Sequence, residues 1–287
     1  MAKNAKSSLL KGVLHRFVNV HPRFRLFLLR LFFPNRDVEV ELFGARLLVS
    51  ARQEVGYLAA QKMAALSIPL GGDSGILATL AMLIEPSDTF LDVGANVGLY
   101  SAMMARAGAI FPRMKFYAFE PHPETVKRLR STLQRSGVEI HECALSDRAG
   151  ELEFREGAGS WTFGAYDPKS PFQIGSRAVR VRAMRLDDVP IEGDSIVMKI
   201  DVENREAEVL SGAQRLLASG RVKAVYIDGY ADARIPDLLR ALQFTLFDGR
   251  TLGSDASDCK LLAISSDCLA RWARCTRSYE NAASANA

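Results

Sequence analysis

Residues 89–104 read TFLDVGANVGLYSAMM, an apolar run that ends in a glycine-punctuated turn and then resumes as a second apolar segment. This pattern predicts a buried β-strand, a tight turn and the beginning of an α-helix. Gly94 and Gly98 allow the backbone to adopt positive φ or to lie close to a ligand. The first turn of the helix presents free N–H groups. The stretch therefore predicts a nucleotide-binding turn.

The turn departs from the dinucleotide-binding fingerprint G-x-G-x-x-G. Asn96 occupies the position of the middle glycine, and Ser101 occupies the position of the third. A second apolar run, residues 116–119, ends at Glu120, which places an acid at the tip of the neighbouring strand. Such an acid accepts hydrogen bonds from both hydroxyls of a ribose. Because S-adenosylmethionine has no phosphate to be held, a loosened glycine turn beside a ribose-binding acid favours it as the cofactor.

Motifs along the chain follow the order and spacing of a known family. They are FLDVGANVG at 90–98, FEPHP at 119–123, ALSD at 144–147, LDD at 186–188, and MKIDVE at 198–203 with VLSGA at 209–213. In these motifs the chain resembles the FkbM-type family of S-adenosylmethionine-dependent methyltransferases, from Pro86 to Asp228. The resemblance implies an α/β, Rossmann-like class I methyltransferase fold: a seven-stranded, mostly parallel sheet with an antiparallel last strand and helices on both faces. It also implies O-methylation of a hydroxyl on a sugar, a glycolipid or a polyketide-like metabolite.

The cofactor site is predicted from the strand tips together with this resemblance. The residues assigned to S-adenosylmethionine are Asp92, Gly94, Asn96, Gly98 and Glu120. By analogy with the family, the loop at Asp147 meets the adenine, and the Asp147 carboxylate accepts a hydrogen bond from its exocyclic amino group. The alternative is that Asp147 only shapes a turn, which is a common local role of aspartate.

The catalytic prediction concerns the acids that follow a buried strand. Residues 195–202, SIVMKIDV, form a near-continuous apolar run of the kind that is buried on both faces of a parallel sheet, and Asp201, Glu203 and Glu206 lie at its tip. Ligands of open α/β sheets lie beyond the carboxyl ends of the strands, so these acids face the methyl acceptor. A carboxylate that takes the hydroxyl proton assists attack on the sulfonium methyl group. Asp201 or Glu203 is the predicted base, and no metal site is predicted, because paired acids without a histidine are a poor ligand set.

Two residues near the acceptor depart from the family pattern. Asn204 lies where the family usually has glycine, although asparagine tolerates a left-handed backbone. Asp228 lies where the family more often has glutamate, so the carboxylate is one methylene shorter. These changes leave open a catalytically silent, Rossmann-like binding or scaffold protein. A NAD-dependent oxidoreductase is a second alternative, because it too would have a glycine turn and a ribose-binding acid. Asn96 and the motif at 199–203 disfavour it.

Residues 1–36 contain eight basic residues and no acid, whereas the whole chain has a net charge of +4, so the basicity is local. The Phe/Leu-rich run at 24–33 holds two arginines and is too short and charged to span a bilayer, which takes about 20 apolar residues. It also lacks the cleavage site of a secretory signal. Residues 8–33 are suited to peripheral contact with the anionic inner face of a membrane. The alternative is an arm that covers the catalytic domain or a homodimer mate.

The composition, with 48% hydrophobic and 24% charged residues, is typical of a soluble globular protein. Four cysteines without a C-x-x-C pair or a histidine at zinc spacing favour reduced thiols in a cytoplasmic protein. The acceptor is expected to be a small molecule or glycan, and no nucleic-acid partner is expected. The predicted organisation is a basic arm (1–36), a hairpin with two helices forming a lid or dimer surface (37–85), the S-adenosylmethionine-binding domain (86–275) and a disordered tail (276–287).

Three further segments carry specific expectations. Residues 138–145 are predicted to form the third strand of the sheet, with His141 inside it. His122, between two prolines, is expected to have a cap-like or surface role rather than to act as a base. The glycine-rich, aromatic loop at 157–166, which includes Trp161, is interpreted either as a surface that stacks on a ligand or as an apolar plug over the sheet end.

Overall fold

The computed structural model describes residues 36–65, 73–108, 110–156, 164–165, 177–230, 232–249, 251–254 and 260–270. The expectations for the basic arm, for most of the aromatic loop and for the C-terminal tail fall outside these residues. No helix in the described ranges has the length and apolar character needed to cross a bilayer.

The secondary structure alternates between strands and helices through most of the chain, as an α/β fold requires. In chain order the elements are β1 (Asp37–Leu42), β2 (Ala45–Ser50), α1 (Val55–Ala65), α2 (Asp73–Leu83), β3 (Thr89–Val93), α3 (Leu99–Gly108), β4 (Lys115–Phe119), α4 (Pro123–Leu133), β5 (Glu139–His141), β6 (Ala144–Leu145), β7 (Gly150–Glu156), β8 (Gly164–Ala165), β9 (Arg177–Met184), a 3₁₀ turn (Leu186–Asp188), β10 (Ile196–Ile200), α5 (Glu206–Ser211), α6 (Gln214–Ala218), β11 (Val222–Asp228), α7 (Arg234–Ala241), β12 (Phe244–Asp248) and β13 (Lys260–Ser265).

Seven strands form the central sheet in the order β12-β13-β11-β10-β3-β4-β5. The pairs from β11 to β5 are all parallel, and β13 runs antiparallel to both of its neighbours. Every residue of β3 and β10 is buried, as their continuous apolar sequences predict for strands that are covered on both faces. This is the predicted Rossmann-like methyltransferase sheet with its antiparallel last strand, and the fold prediction is confirmed.

The two faces of the sheet build separate cores because neighbouring side chains of a strand point in opposite directions. Leu91 and Met198 lie on one face, in the core that includes residues of α5, α6 and α7. Phe90 and Val197 lie on the other face, with residues of α2 and α3. Helix α2 therefore contributes to the core of the central sheet, although it precedes the predicted domain boundary at residue 86. The boundaries of the four predicted segments stay a prediction.

The third strand differs from its prediction. The expected single strand at 138–145 is divided into β5, which pairs with β4, and β6, which pairs with β9. The division follows from a tight turn in which the Cys143 N–H donates to the His141 carbonyl at 3.0 Å, so the chain leaves the central sheet. β6 then enters a second, four-stranded sheet in the order β6-β9-β7-β8. This small sheet forms one wall of the functional site.

The N-terminal hairpin, β1 and β2, is confirmed, and it lies against the helices that flank the cofactor turn. Its apolar face, with Val40 and Leu47 among others, shares a core with Leu99 at the beginning of α3. A buried ion pair joins Arg128 of α4 to Glu54, which follows the hairpin, with Nη2 and Oε1 2.8 Å apart. The hairpin and α1 are therefore attached to the sides of α3 and α4.

Candidate active site

A cavity opens at the carboxyl ends of β3, β4 and β10, where the topology of an open α/β sheet places ligands. Its lining combines residues of the central sheet, the second sheet and the loop after β10. These residues are Val93, Gly94, Asn96, Phe119, Glu120, Pro121, Cys143, Ala144, Leu145, Ser146, Leu152, Phe154, Asp201, Val202, Glu203 and Arg205. Five of the eight predicted site residues therefore meet in one place: Gly94, Asn96 and Glu120 for the cofactor, and Asp201 and Glu203 for catalysis.

The other three predicted residues, Asp92, Gly98 and Asp147, are not among those that line this cavity. The N-terminal hairpin and helices contribute no lining residue either. The expectation that residues 37–85 form a lid or a dimer surface stays a prediction. The apolar face of the hairpin is buried against the beginning of α3.

The glycine turn after β3 brings three strand ends together. The N–H groups of Gly94 and Ala95 both donate to the Phe119 carbonyl of β4, at 3.0 Å each. Gly94 has φ +78°, and a Cβ on it would lie 1.8 Å from the Asp201 carbonyl oxygen at the end of β10. Only glycine can occupy this position. Gly98 instead allows close approach to α4, since a Cβ there would lie 2.7 Å from Leu129 Cδ1.

Glu120 is a buried acid whose two oxygens have different backbone partners. Oε2 accepts from the Asn96 N–H at 2.9 Å, and Oε1 accepts from the His122 N–H at 2.9 Å. Burial raises the pKa of Glu120 to about 7, although these two hydrogen bonds oppose the increase. Each carboxylate oxygen can accept a further hydrogen bond, so the group is oriented to receive the two hydroxyls of a ribose. The His122 Nδ1 accepts from the Thr125 N–H at 3.2 Å, which confirms the predicted helix cap.

Beneath the glycine turn lies a buried charge network that the sequence analysis missed. The Asp92 carboxylate accepts from the N–H and the hydroxyl of Ser101, at 3.0 and 2.7 Å. Its other oxygen lies 3.2 Å from Lys199 Nζ. Contact between Asp92 and the cofactor stays a prediction. The available signal was Lys199 itself, because a lysine inside an apolar strand has to be paired when it is buried.

The loop after β10 carries the acids predicted for catalysis. Asp201 keeps 37% of its side chain exposed, and Glu203 is exposed at the edge of the cavity. Partial desolvation by the surrounding protein, followed by the charges of Asp201 and Glu206, raises the pKa of Glu203 to about 7. Burial also raises the pKa of Asp201, and Lys199 opposes that increase. Glu203 can therefore change protonation near neutral pH, with Asp201 as a second carboxylate beside it.

The backbone of this loop is unusual in a way that favours a functional role. Glu203 and Asn204 both have positive φ, at +55° and +68°. The left-handed conformation predicted as tolerable for Asn204 is confirmed, whereas that of Glu203 is costly for a residue of this type. The buried Glu206 carboxylate accepts from the Asn204 N–H at 3.1 Å and stabilises the turn. The chain thus holds the Glu203 side chain at the cavity by means of a strained turn.

The apolar wall of the cavity comes from the second sheet, which the sequence analysis did not assign to the site. Leu152 and Phe154 of β7 line the cavity beside Leu145 of β6. Their alternation with Glu151 and Glu153 was the signal that one face of this strand is covered. An apolar wall beside Glu120 suits the flat face of an adenine.

The motifs LDD and VLSGA shape this wall from behind. A Cβ on Gly212 would lie 2.0 Å from the Ser146 carbonyl, so Gly212 lets the chain at Ser146 approach α5. The buried Asp187 carboxylate accepts from the N–H groups of Arg215 and Leu216, at 3.1 and 2.9 Å, and caps α6. Asp147 is exposed and accepts from the Ser146 hydroxyl at 3.1 Å. Its predicted contact with adenine stays a prediction.

Asp228, the second departure from the family pattern, lies at the tip of β11. Its carboxylate forms an ion pair with Lys260, its register partner on β13. Its negative charge is one of the influences that raise the pKa of Asp201, so it lies near the acid tip of β10. Within the part of the chain that is described, no three histidine, cysteine or acid side chains are grouped so as to hold a metal ion.

The strand order, the glycine turn and the buried acid at the tip of β4 define a Rossmann-like methyltransferase. Residues 92–246 match the sequence family described as the methyltransferase FkbM domain. The chain belongs to this family. The protein is therefore a methyltransferase of the FkbM family, and its cofactor is S-adenosylmethionine. This confirms the family, the class of enzyme and the cofactor predicted from the motifs.

Three curated relatives give the scale of the similarity. The hexuronic acid methyltransferase AglP of Haloferax volcanii is 26% identical over 210 residues, which cover 71% of this chain and 78% of AglP. Methyltransferase sdnD of Sordaria araneosa is 35% identical over 134 residues, which cover 44% of this chain and 48% of sdnD. The 31-O-demethyl-FK506 methyltransferase FkbM of Streptomyces tacrolimicus is 26% identical over 162 residues, which cover 46% of this chain and 61% of that relative. The chain thus spans about half to three quarters of these relatives.

Proposed function

We propose that the protein transfers the methyl group of S-adenosylmethionine to a hydroxyl oxygen of a sugar, a glycolipid or a polyketide-like metabolite. The observation that carries this proposal is one cavity lined both by Glu120, at the tip of β4, and by Asp201 and Glu203, after β10. The first acid suits the ribose of the donor, and the other two suit the hydroxyl of the acceptor.

The donor half of the site consists of the glycine turn, Glu120 and the apolar wall. Glu120 accepts the ribose hydroxyls, the turn at Gly94 and Asn96 faces the rest of the cofactor, and the adenine lies along Leu152 and Phe154. The Asn96 Oδ1 atom is buried and has no hydrogen-bond partner in the described structure, which supports a ligand contact there. Asp92 and Gly98 are proposed to contribute to cofactor binding through the turn that they shape, and Asp147 is the proposed partner of the adenine amino group.

The acceptor half assigns different roles to the two acids. Asp201 Oδ2 lies 3.6 Å from Lys199 Nζ, so its carboxylate is held by a buried cation and serves to place negative charge near the sulfonium. Glu203 is exposed, and its pKa of about 7 suits a group that accepts a proton near neutral pH. In the transfer, the hydroxyl oxygen bonds to the methyl carbon while the carbon–sulfur bond breaks. Glu203 takes the hydroxyl proton, and the products are the methyl ether and S-adenosylhomocysteine.

The names of two relatives support a hydroxylated acceptor. One relative is named for a hexuronic acid and another for 31-O-demethyl-FK506. An acceptor panel should therefore contain uronic acids, neutral sugars and glycolipids, and hydroxylated macrolides. The acidic tip formed by Asp201 and Glu203 favours neutral hydroxyl groups over carboxylates at the reacting position, because like charges repel.

The test combines calorimetry with radiolabelled methyl transfer. The full chain is titrated with S-adenosylmethionine and S-adenosylhomocysteine, then incubated with methyl-labelled donor and the acceptor panel. Glu120→Ala should abolish donor binding, and Glu203→Gln should retain donor binding but lose transfer. Glu124→Gln is the matched control, because Glu124 is an exposed acid of the same region that pairs with Lys127. Donor binding without transfer to any acceptor would favour a catalytically silent binding protein. No donor binding by the folded chain would refute the proposal.

A second proposal concerns location and rests on sequence alone. Residues 8–33 combine basic and apolar side chains. They are proposed to bind this protein, located in the cytoplasm, to the anionic inner face of the membrane. Liposome co-sedimentation of the full chain should exceed that of a chain lacking residues 1–36, and the difference should shrink with added salt. Equal, salt-insensitive sedimentation would instead favour an arm that covers the protein or a homodimer mate, which size-exclusion chromatography with light scattering would detect.

A further inference from the structure

Two lysines are buried in neighbouring strands of the central sheet. Lys199 of β10 is 2% exposed, and Lys223 of β11 is 3% exposed. Each forms ion pairs with two carboxylates, as a buried lysine requires. The partners of Lys223 are Glu85 and Asp88, in the turn that precedes β3, at the amino ends of the strands. Lys223 therefore stabilises the sheet at the end that is remote from the cavity.

The partners of Lys199 all belong to the functional site. Its Nζ donates to the Gly94 carbonyl at 2.9 Å and lies 3.2 Å from Asp92 Oδ1 and 3.6 Å from Asp201 Oδ2. The same nitrogen lies 5.1 Å from the centre of the Tyr100 ring in α3. One ammonium group thus contacts the end of β3, the glycine turn, the first turn of the following helix and the acid that follows β10.

We propose that Lys199 is a positioning residue that joins the two halves of the active site: it holds the cofactor turn through Gly94 and Asp92, and the acceptor-facing tip through Asp201. This inference rests on the proposed function. Since Gly94 lies against the Asp201 backbone as well, the turn and the acid tip form as one unit around the ammonium. Lys199 contacts no reacting atom, and it acts through the residues that it holds.

The charge of Lys199 has a consequence that a purely structural lysine would not have. Desolvation raises the pKa of Glu120, Asp201 and Glu203, and in each case the positive charge of Lys199 opposes the increase. Burial disfavours the charge of Lys199 itself, but Asp92 and Asp201 outweigh burial and raise its pKa. The ammonium therefore extends the pH range over which the site acids are ionised.

The experiment compares Lys199→Met with Lys223→Met in the full chain. S-adenosylhomocysteine is titrated between pH 5.5 and 8.5 by calorimetry, and the melting temperature of each variant is recorded. Both variants should be destabilised, because each leaves buried acids without their cation. Only Lys199→Met should move the midpoint of the affinity–pH curve upwards, with affinity at pH 6 falling about tenfold for each unit by which the pKa of Glu120 rises.

A second variant keeps the proposal testable if Lys199→Met does not fold. Asp201→Asn removes one ion-pair partner of Lys199, at a partly exposed position. The charges that shift the pKa of Glu120 are those of Lys199 and Asp92, so this variant acts on Glu120 through Lys199. Freed from Asp201, Lys199 should act more strongly on Glu120, and the midpoint of the affinity–pH curve should move downwards.

The outcomes separate this inference from the proposed function. If the wild-type chain does not bind S-adenosylhomocysteine, the proposed function fails. If the wild-type chain binds and the midpoint is unchanged in both Lys199→Met and Asp201→Asn, the role of Lys199 is refuted while the proposed function stands. An equal loss of affinity and an equal shift in Lys223→Met would also refute it, because a general effect on the sheet would then explain the result.

Discussion

Replacing Glu120 by glutamine should change how the stability of the apo-protein depends on pH. The pKa of this buried carboxyl is about 7 in the folded chain, against an ordinary value of 4.5. The folded state therefore binds the proton more tightly than the unfolded state does. Between these two values the free energy of unfolding falls as the pH rises, and the contribution is complete below about pH 4.5 and lost above about pH 7. The difference of about 2.5 between the pKa values corresponds to about 3 kcal/mol.

Urea unfolding at pH 5, 6, 7 and 8 measures this contribution directly, as the difference between the wild-type chain and Glu120→Gln. The wild-type chain should lose up to about 3 kcal/mol more than the variant between pH 5 and pH 8. Glu203 acts in the same direction in both proteins, but it is exposed and screened by solvent. Glu124→Gln is the control, since Glu124 is exposed and its pKa is lowered by Lys127, and its profile should follow the wild type over this range.

The same carboxyl predicts how cofactor affinity depends on pH. The ionised form accepts the ribose hydroxyls, so S-adenosylhomocysteine should bind more tightly as the pH rises through about 7, and proton release should accompany binding below that pH. The affinity of Glu120→Gln should be weaker and independent of pH. If the wild-type chain and Glu120→Gln lose equal stability between pH 5 and pH 8, the reasoning from the burial of Glu120 is refuted.

Three other substitutions test separate parts of the site. Glu203→Gln should lower the rate of methyl transfer by about 100-fold or more while the dissociation constant for S-adenosylmethionine stays within about twofold, because only the base is removed; an unchanged rate would exclude Glu203 as the base. Gly94→Ala should abolish S-adenosylhomocysteine binding in calorimetry, since the new Cβ would lie 1.8 Å from a backbone oxygen. Gly137→Ala is the control, because Gly137 also has positive φ but a Cβ there would have no atom within 4 Å. This control should lower the free energy of unfolding in urea by only about 1 kcal/mol. Comparable effects of the two alanines would contradict the close-approach argument. Arg128→Met should destabilise the chain by about 3–5 kcal/mol, because it removes the cation that balances the buried Glu54. Adding Glu54→Gln to the same chain should recover part of that loss. A loss below about 1 kcal/mol would show that the hairpin is attached by its apolar face alone.

Much of the fold could be predicted because the relevant signals are local. The apolar runs at 89–93 and 196–200, the alternation in the hairpin and the proline-bounded cap at His122 each depend on neighbours within a few residues. The positive φ of Asn204 is of the same kind, since it follows from the conformational range of asparagine. The third strand was predicted as one piece because nothing in its composition marks the turn at Cys143 that sends the chain into the second sheet.

The acids at the strand tips could also be predicted, since parallel strands end at the same edge of a sheet. What tertiary structure alone decided is which groups meet there. The register between β3 and β10 places Lys199 opposite Asp92, and these residues are more than a hundred positions apart in the chain. Likewise, pairing of β6 with β9 brings the second sheet beside the cavity and makes Leu152 and Phe154 its apolar wall. Side-chain periodicity specifies which face of a strand is buried, but long-range pairing decides what that face contacts.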